Sequence, residues 1–374
     1  MMNLAEMLTF ADIEVLTKIA DHYKCVCNTN SKHELIQTIL GKMGRREYFE
    51  ELLDELGTED LRFLNTLLFD GRKQFSLEEL LACASQAKWS ADDQDVKTQI
   101  RPRDLVTRFR QKGWLFTGRS TNERFLFELP EDLKMGFRTG LEQRMLMDLK
   151  RVQAPAAYRE EPIQASEDLF LLIDYIHRHE IVLNAEGAMY RRYQTQIMDK
   201  LHVSEPLLGR SGWRFGYGRK FKDYPSRLAF LYDYATYRRW IEERGGILAV
   251  TSAGQTVLAE ERREPLIQLI RFWLRLYKGP IPNLLSLVYW IDRGSKGWVS
   301  ANSLFVAMER FINPYYYDTP ESIFQERILK MMLHLGMIRI GEDEQEGMIV
   351  RMTAAGRAAV EVICQARQEP DFRK

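Results

Sequence analysis

A signal that occurs twice constrains this chain more than anything else in it. The first copy is Gly246-Ile247-Leu248-Ala249-Val250-Thr251-Ser252-Ala253-Gly254, continuing through Gln255, Thr256, Val257 and Leu258. The second is Gly347-Met348-Ile349-Val350-Arg351-Met352-Thr353-Ala354-Ala355-Gly356, continuing through Arg357, Ala358, Ala359 and Val360. Each copy reads as a short strand alternating apolar and polar positions, a Thr-Xaa-Ala-Gly helix start, and a short apolar helix. Thr suits the N-cap because its hydroxyl accepts a bond from a free backbone N–H of the first turn. Ahead of each copy an apolar stripe predicts a helix, over 226–244 and over 320–335. The repeat predicts a chain of small helical modules, each closed by a strand pair and a last helix.

Helix, strand pair and closing helix is similar to the ending of a winged-helix module. The fold class expected is therefore mainly α with small β wings: tandem winged-helix modules behind a small helix-extended-turn-helix unit. A chain of 374 residues has room for two to four such modules. Apolar residues at 45% and aromatics at 11% predict a globular chain. No apolar run reaches the roughly 20 residues of a membrane span, and no signal-peptide pattern opens the sequence. The expected location is cytoplasmic, nucleoid-associated if DNA is the partner.

Read in order, the sequence divides at 1–45, 46–150, 151–165, 166–262, 263–363 and 364–374. In the first segment Thr9 or Asp12 can cap a helix bearing Ile13, Leu16 and Ile19, and Ser31 can cap a second, 32–40. Asp12-Ile13 and Leu16, then Ser31-Lys32-Xaa-Glu34-Leu35-Ile36 and Ile39-Leu40, resemble the SAP and Rho N-terminal family. That resemblance implies a nucleic-acid-binding or docking module; a plain two-helix packing unit accounts for the same residues. Segment 46–150 predicts helices at 59–69, from Ser76, and from Pro102. Strands then follow at 114–116 and 124–129, around a wing at 118–123. The third helix carries Arg101, Arg103, Arg108, Arg110 and Lys112, the face a helix-turn-helix turns to the groove, or simply a solvated charged face. Residues 151–165 lack a periodic apolar face and read as a linker. In 263–363, Tyr315, Tyr316 and Tyr317 with the neighbouring methionines read as core. The last residues, 364–374, read as a polar tail.

Segment 166–262 carries the most specific resemblance. Leu183-Asn184-Ala185-Glu186-Gly187-Ala188-Met189-Tyr190-Arg191 is similar to a Leu-Thr-Xaa-Xaa-Gly-Xaa-Xaa-Xaa-Arg step, with Asn for Thr, and Arg192 follows it. Arg227-Leu228-Ala229-Phe230-Leu231 and the Thr251 ending complete the order. Together they resemble the domain shared by XPB-type DNA repair helicases, in their N-terminal part, and bacterial helicase-associated proteins. The resemblance implies winged-helix packing attached to DNA-directed machinery, and nothing catalytic. Within this segment Arg210, Arg214, Arg219, Lys220 and Lys222 interleave with Trp213, Phe215, Tyr217, Phe221 and Tyr224 against one acid, Asp223. Cations meet phosphates and aromatic faces stack on bases, so Arg210, Trp213, Arg214, Tyr217, Arg219, Lys220 and Lys222 are candidate contacts, with Arg191 and Arg192 beside them. The alternative is a loop whose aromatics tuck into the core and whose cations meet acids.

Lys plus Arg and Asp plus Glu number 53 each, a zero net charge that disfavours unspecific coating of nucleic acid. No phosphate loop, acidic helicase box, metal-ligand spacing or nucleophile elbow occurs, so no enzyme, metal or cofactor is expected. Two functions follow: a non-catalytic bacterial DNA-binding accessory factor of repair, replication or transcription, or a protein–protein adaptor that docks a helicase, polymerase or nuclease. No membrane and no small-molecule substrate are expected as partners.

Overall fold

A computed structural model describes residues 2–89, 101–118, 125–209 and 214–366. The expected wing residues 119–123, and Arg210 and Trp213 of the basic-aromatic stretch, lie outside the described residues. The protein is mainly helical, with small antiparallel sheets. No helix among the described residues is long and apolar enough to cross a membrane. The chain divides into two compact units, Met1–Asp148 with Cys364–Lys374, and Leu149–Ile363.

The first unit opens with α1 (Leu4–Phe10), α2 (Ile13–His22) and α3 (Lys32–Met43). Asn3 and Glu6 form a reciprocal capping box on α1, a helix that sequence reading passed over. Ser31 caps α3 as its position predicts, accepting from the Glu34 N–H at 3.3 Å. Asp12 precedes α2 but makes no side-chain cap bond, and the Thr9 hydroxyl turns back to the Ala5 carbonyl. Next come α4 (Arg46–Glu55), α5 (Thr58–Phe69), β1 (Phe75–Ser76), α6 (Leu77–Ala87), α7 (Pro102–Gln111), β2 (Phe116–Thr117), β3 (Leu126–Glu128) and α8 (Glu131–Met147). The expected division at 45 is bridged from within the core. The hydroxyls of Tyr23 and Tyr48 lie 2.6 Å apart, Tyr23 donates to the Lys112 carbonyl, and the Trp114 indole N–H donates to Tyr48 at 3.0 Å. Helices α4 and α8 pack closely because Gly136 and Gly140 leave room for Phe49 and Leu53.

The second unit runs through β4 (Tyr158–Arg159), α9 (Gln164–Arg178), β5 (Ile181–Val182), α10 (Arg191–Met198), α11 (Ser226–Tyr237), β6 (Ile241–Arg244), β7 (Ile247–Val250) and α12 (Ser252–Ala259). It continues with α13 (Leu266–Leu276), α14 (Leu284–Gly294), β8 (Val299–Ser300) and α15 (Ala301–Met308). A long helical run follows: α16 (Pro320–Ser322), a wider π stretch Ile323–Leu329, and α17 (Lys330–His334). Strands β9 (Ile338–Asp343) and β10 (Gly347–Met352) then lead into α18 (Ala354–Ala366). Residues 151–165, read from sequence as a linker, are instead built into this unit. Tyr158 and Arg159 pair with Gly341 and Ile340 at the edge of β9, Arg151 bridges Val299, and Glu161 is buried. A two-residue edge strand needs no apolar period, which is why the segment looks featureless.

One topology recurs three times. A helix leads to a short strand, two further helices, a hairpin and a closing helix: α5-β1-α6-α7-β2-β3-α8, α9-β5-α10-α11-β6-β7-α12, and α14-β8-α15-(320–334)-β9-β10-α18. In each, the short strand pairs with the second hairpin strand, giving the orders β1-β3-β2, β5-β7-β6 and β8-β10-β9, the last extended by β4. The third helix of each set ends identically. Trp114, Trp240 and Met337 return their N–H groups to the carbonyls of Phe109, Ala235 and Met332 at 2.8–2.9 Å, across left-handed residues Gly113, Arg239 and Gly336. The duplicated sequence signal is the second half of this device. Thr251 and Thr353 accept from the N–H groups of Gly254 and Gly356, and a Cβ on either glycine would overlap the carbonyl oxygen of Trp240 or Met337.

Candidate nucleic-acid interface

The three third helices differ in what they leave uncovered. Helix α11 is buried continuously from Arg227 to Ala235. On one side it packs against α9; on the other Phe230 and Tyr234 meet Phe272 of α13 at ring distances of 5.6 and 5.1 Å. The run 320–334 buries Ile323, Phe324, Ile328, Leu329 and every residue from Met331 to His334, and its exposed positions include Glu321 and Glu326. Helix α7 buries only Leu105, Val106 and Phe109. Arg103, Thr107, Arg110 and Gln111 remain exposed, and at i, i+4, i+7 and i+8 they share one face. Arg101 is exposed at its N-terminus, with Asp104 in the first turn, where a carboxylate suits the helix dipole. Thr107, Arg110 and Gln111 also wall a cleft of about 770 Å³ whose opposite side includes Phe10, Asp12 and Lys18.

Two other cations expected on that face turn inward. Arg108 pairs with the buried Asp60 at 2.7 Å. Burial raises the Asp60 carboxyl above its ordinary range, and the charges of Arg108 and Lys112 offset that in part. Lys112 is buried with its ammonium 4.8 Å from the centre of the Trp114 ring, and desolvation depresses its pKa.

The basic-aromatic stretch splits the same way. Arg214 is half-buried and donates to the Tyr224 carbonyl at 2.8 Å and the Ser226 hydroxyl at 2.9 Å; desolvation lowers its pKa. Tyr217 is buried against Tyr277 and Tyr315. Lys220 is 7% exposed and reaches the Gly187 carbonyl at 2.5 Å and Glu243 at 3.0 Å. Its partners are thus the Gly187 turn and the β6 edge, in place of solvent. Arg219 and Lys222 are exposed; the Arg219 backbone N–H bonds the buried Asp233 at 2.7 Å. Arg191 and Arg192 are exposed on α10, the first donating to the Leu208 carbonyl and the second to the Tyr193 hydroxyl, each at 2.8 Å. The structure therefore gathers Arg103 and Arg110 on one open face and leaves Arg191, Arg192, Arg219 and Lys222 as exposed cations of the other unit.

Arg227, from the Arg-Leu-Ala-Phe-Leu helix, is the hub of a buried cluster. It is 1% exposed and bonds both Asp168 (through Nε at 2.9 Å and Nη2 at 2.7 Å) and Glu161 at 2.7 Å. His334 Nδ1 lies 3.0 Å from Glu161. Burial by itself pushes Glu161 up; the His334 hydrogen bond and charge, with the Arg227 and Arg159 charges, outweigh it and hold the carboxyl down to about 2. This cluster ties 161, α9, α11 and α17 together, which fixes the second and third repeats to each other. Of Tyr315, Tyr316 and Tyr317, read from sequence as core, Tyr315 is half-buried against Tyr217, whereas Tyr316 and Tyr317 correct that reading at 81% and 69% exposed. In comparisons with known proteins, no family model and no curated sequence matches the chain.

Proposed function

We propose that the protein is a non-catalytic DNA-binding accessory factor whose three repeats are winged-helix modules, with α7 as the helix that enters the major groove. The order of helices and strands, and the pairing of the short first strand with the second hairpin strand, support the winged-helix reading. The observation that carries the function is the contrast among third helices: only α7 keeps an open, cationic face. Arginine there reads guanine edges or pairs with phosphates, and Gln111 suits an adenine edge. The other two modules are locked by α13 and the Arg227 cluster, so their third helices serve as scaffold. The resemblance of 167–259 to helicase-associated domains supports a place beside DNA repair, replication or transcription machinery, in a cytoplasmic setting.

Fluorescence anisotropy with a labelled duplex tests this on the full chain. Arg103→Ala/Arg110→Ala is expected to weaken binding by roughly tenfold or more, whereas Arg191→Ala/Arg192→Ala leaves it near wild type. Zero net charge and two closed third helices favour a second reading, an adaptor that docks a helicase, polymerase or nuclease. Folded wild-type protein that ignores duplex DNA at low salt would select the adaptor.

A further inference from the structure

Residues 315–318 form a two-residue hairpin turn. Tyr315 and Asp318 exchange both backbone hydrogen bonds, each 3.0 Å long, and Tyr316 at its tip holds a left-handed φ of 52°. That conformation is uncommon for a bulky residue and persists only where surrounding contacts enforce it. Here the enforcement is visible. Asp318 is buried, and Arg327 grips both its oxygens at 2.8 and 3.1 Å while donating to the Phe215 carbonyl at 3.0 Å. The brace presents two largely exposed tyrosine rings to water. They do not stand alone: Phe215 lies 6.0 Å from the Tyr316 ring and 5.6 Å from Tyr317. Phe221 is 6.4 Å beyond Phe215, and the exposed Lys222 ammonium is 5.7 Å from the Phe221 ring. The result is a stripe of aromatic rings, tilted or edge-on to one another, that ends in a cation; Asp318 is engaged by Arg327, and Asp223, next to Lys222, lies 4.0 Å from the Lys220 ammonium.

We infer that this tip is a stacking platform for unpaired nucleobases, with Tyr316 and Tyr317 taking bases and Lys222 a flanking phosphate. Planar faces accept any base, and a cation at the end of the stripe matches a phosphodiester better than an apolar peptide. This goes beyond the duplex-reading role of α7: it lies on the other unit and takes single strands.

The test is anisotropy of a labelled twenty-nucleotide oligo-dT with the full chain, alongside the duplex titration. Tyr316→Ala/Tyr317→Ala is expected to weaken oligo-dT binding by roughly tenfold or more, and Tyr316→Phe/Tyr317→Phe to retain most of it because the rings remain. Duplex affinity stays unchanged in both. Wild-type protein that does not bind oligo-dT overturns the proposal, as does an alanine variant that binds it equally well; the latter leaves the tip to a protein partner. Circular dichroism checks that both variants fold. Because Arg103→Ala/Arg110→Ala acts on duplex binding alone, failure of the α7 reading and failure of this one give different results.

Discussion

Arg239 stands at φ 56°, where the two equivalent helix ends have Gly113 and Gly336. An L residue there costs about 1–2 kcal/mol, and the Arg239 side chain is exposed. Arg239→Gly is therefore expected to raise stability by up to about 1 kcal/mol, the rest being lost to the freer unfolded glycine. Urea unfolding followed by tryptophan fluorescence checks this, and a lower midpoint would contradict it. Arg227 predicts the opposite outcome. Arg227→Met leaves Asp168 and Glu161 buried without their cation, and should cost about 3–5 kcal/mol. Glu161, held near 2 in the fold against 4.5 as its ordinary value, adds stability that is complete above about pH 4.5 and drains away as pH falls toward 2. Glu161→Gln should flatten that part of the stability–pH profile; an unchanged acid slope would show that another group carries it. The basic-aromatic stretch shows where residue type stops informing. Lys220 and Lys222 have the same side chain two positions apart, yet one is buried on Gly187 and Glu243 and the other is exposed. Composition reports the cation but not the direction of the loop that carries it.

Among elements, the hairpin-to-helix joint is what the sequence displays most clearly. Thr251 and Thr353 cap, and Gly254 and Gly356 let the helix touch a backbone carbonyl, so both copies need the same letters. Gly254→Ala and Gly356→Ala should each lower stability by about 1–3 kcal/mol, since a carbonyl fixed in the chain cannot move aside as a side chain would. Differential scanning calorimetry reads this, and unchanged melting would contradict the close approach. In the first repeat the strand pair is legible at 114–116 and 124–129, but the joint to its closing helix lacks these letters. Its closing helix α8 starts after Pro130 without a side-chain cap. In α8 the apolar stripe of Leu133, Phe137 and Leu141 is flanked by Gly136 and Gly140, where Phe49 and Leu53 fill the space from α4.

For the whole molecule, three repeats of one topology differ in what covers the third helix. In Leu149–Ile363, α13 and the Arg227 cluster close those helices; in Met1–Asp148, α7 stays open. A neutral overall charge is compatible with this, because a local face rather than the total sets phosphate contact. The slope of log affinity for a labelled duplex against log salt, for wild type and Arg103→Ala/Arg110→Ala, tests that account most directly. If both arginines meet phosphates, the variant's slope falls by about 2, near 0.9 per lost contact. If one or both read bases, affinity falls with a smaller change in slope. Equal affinity and equal slope in the two proteins would contradict a DNA-reading role for α7.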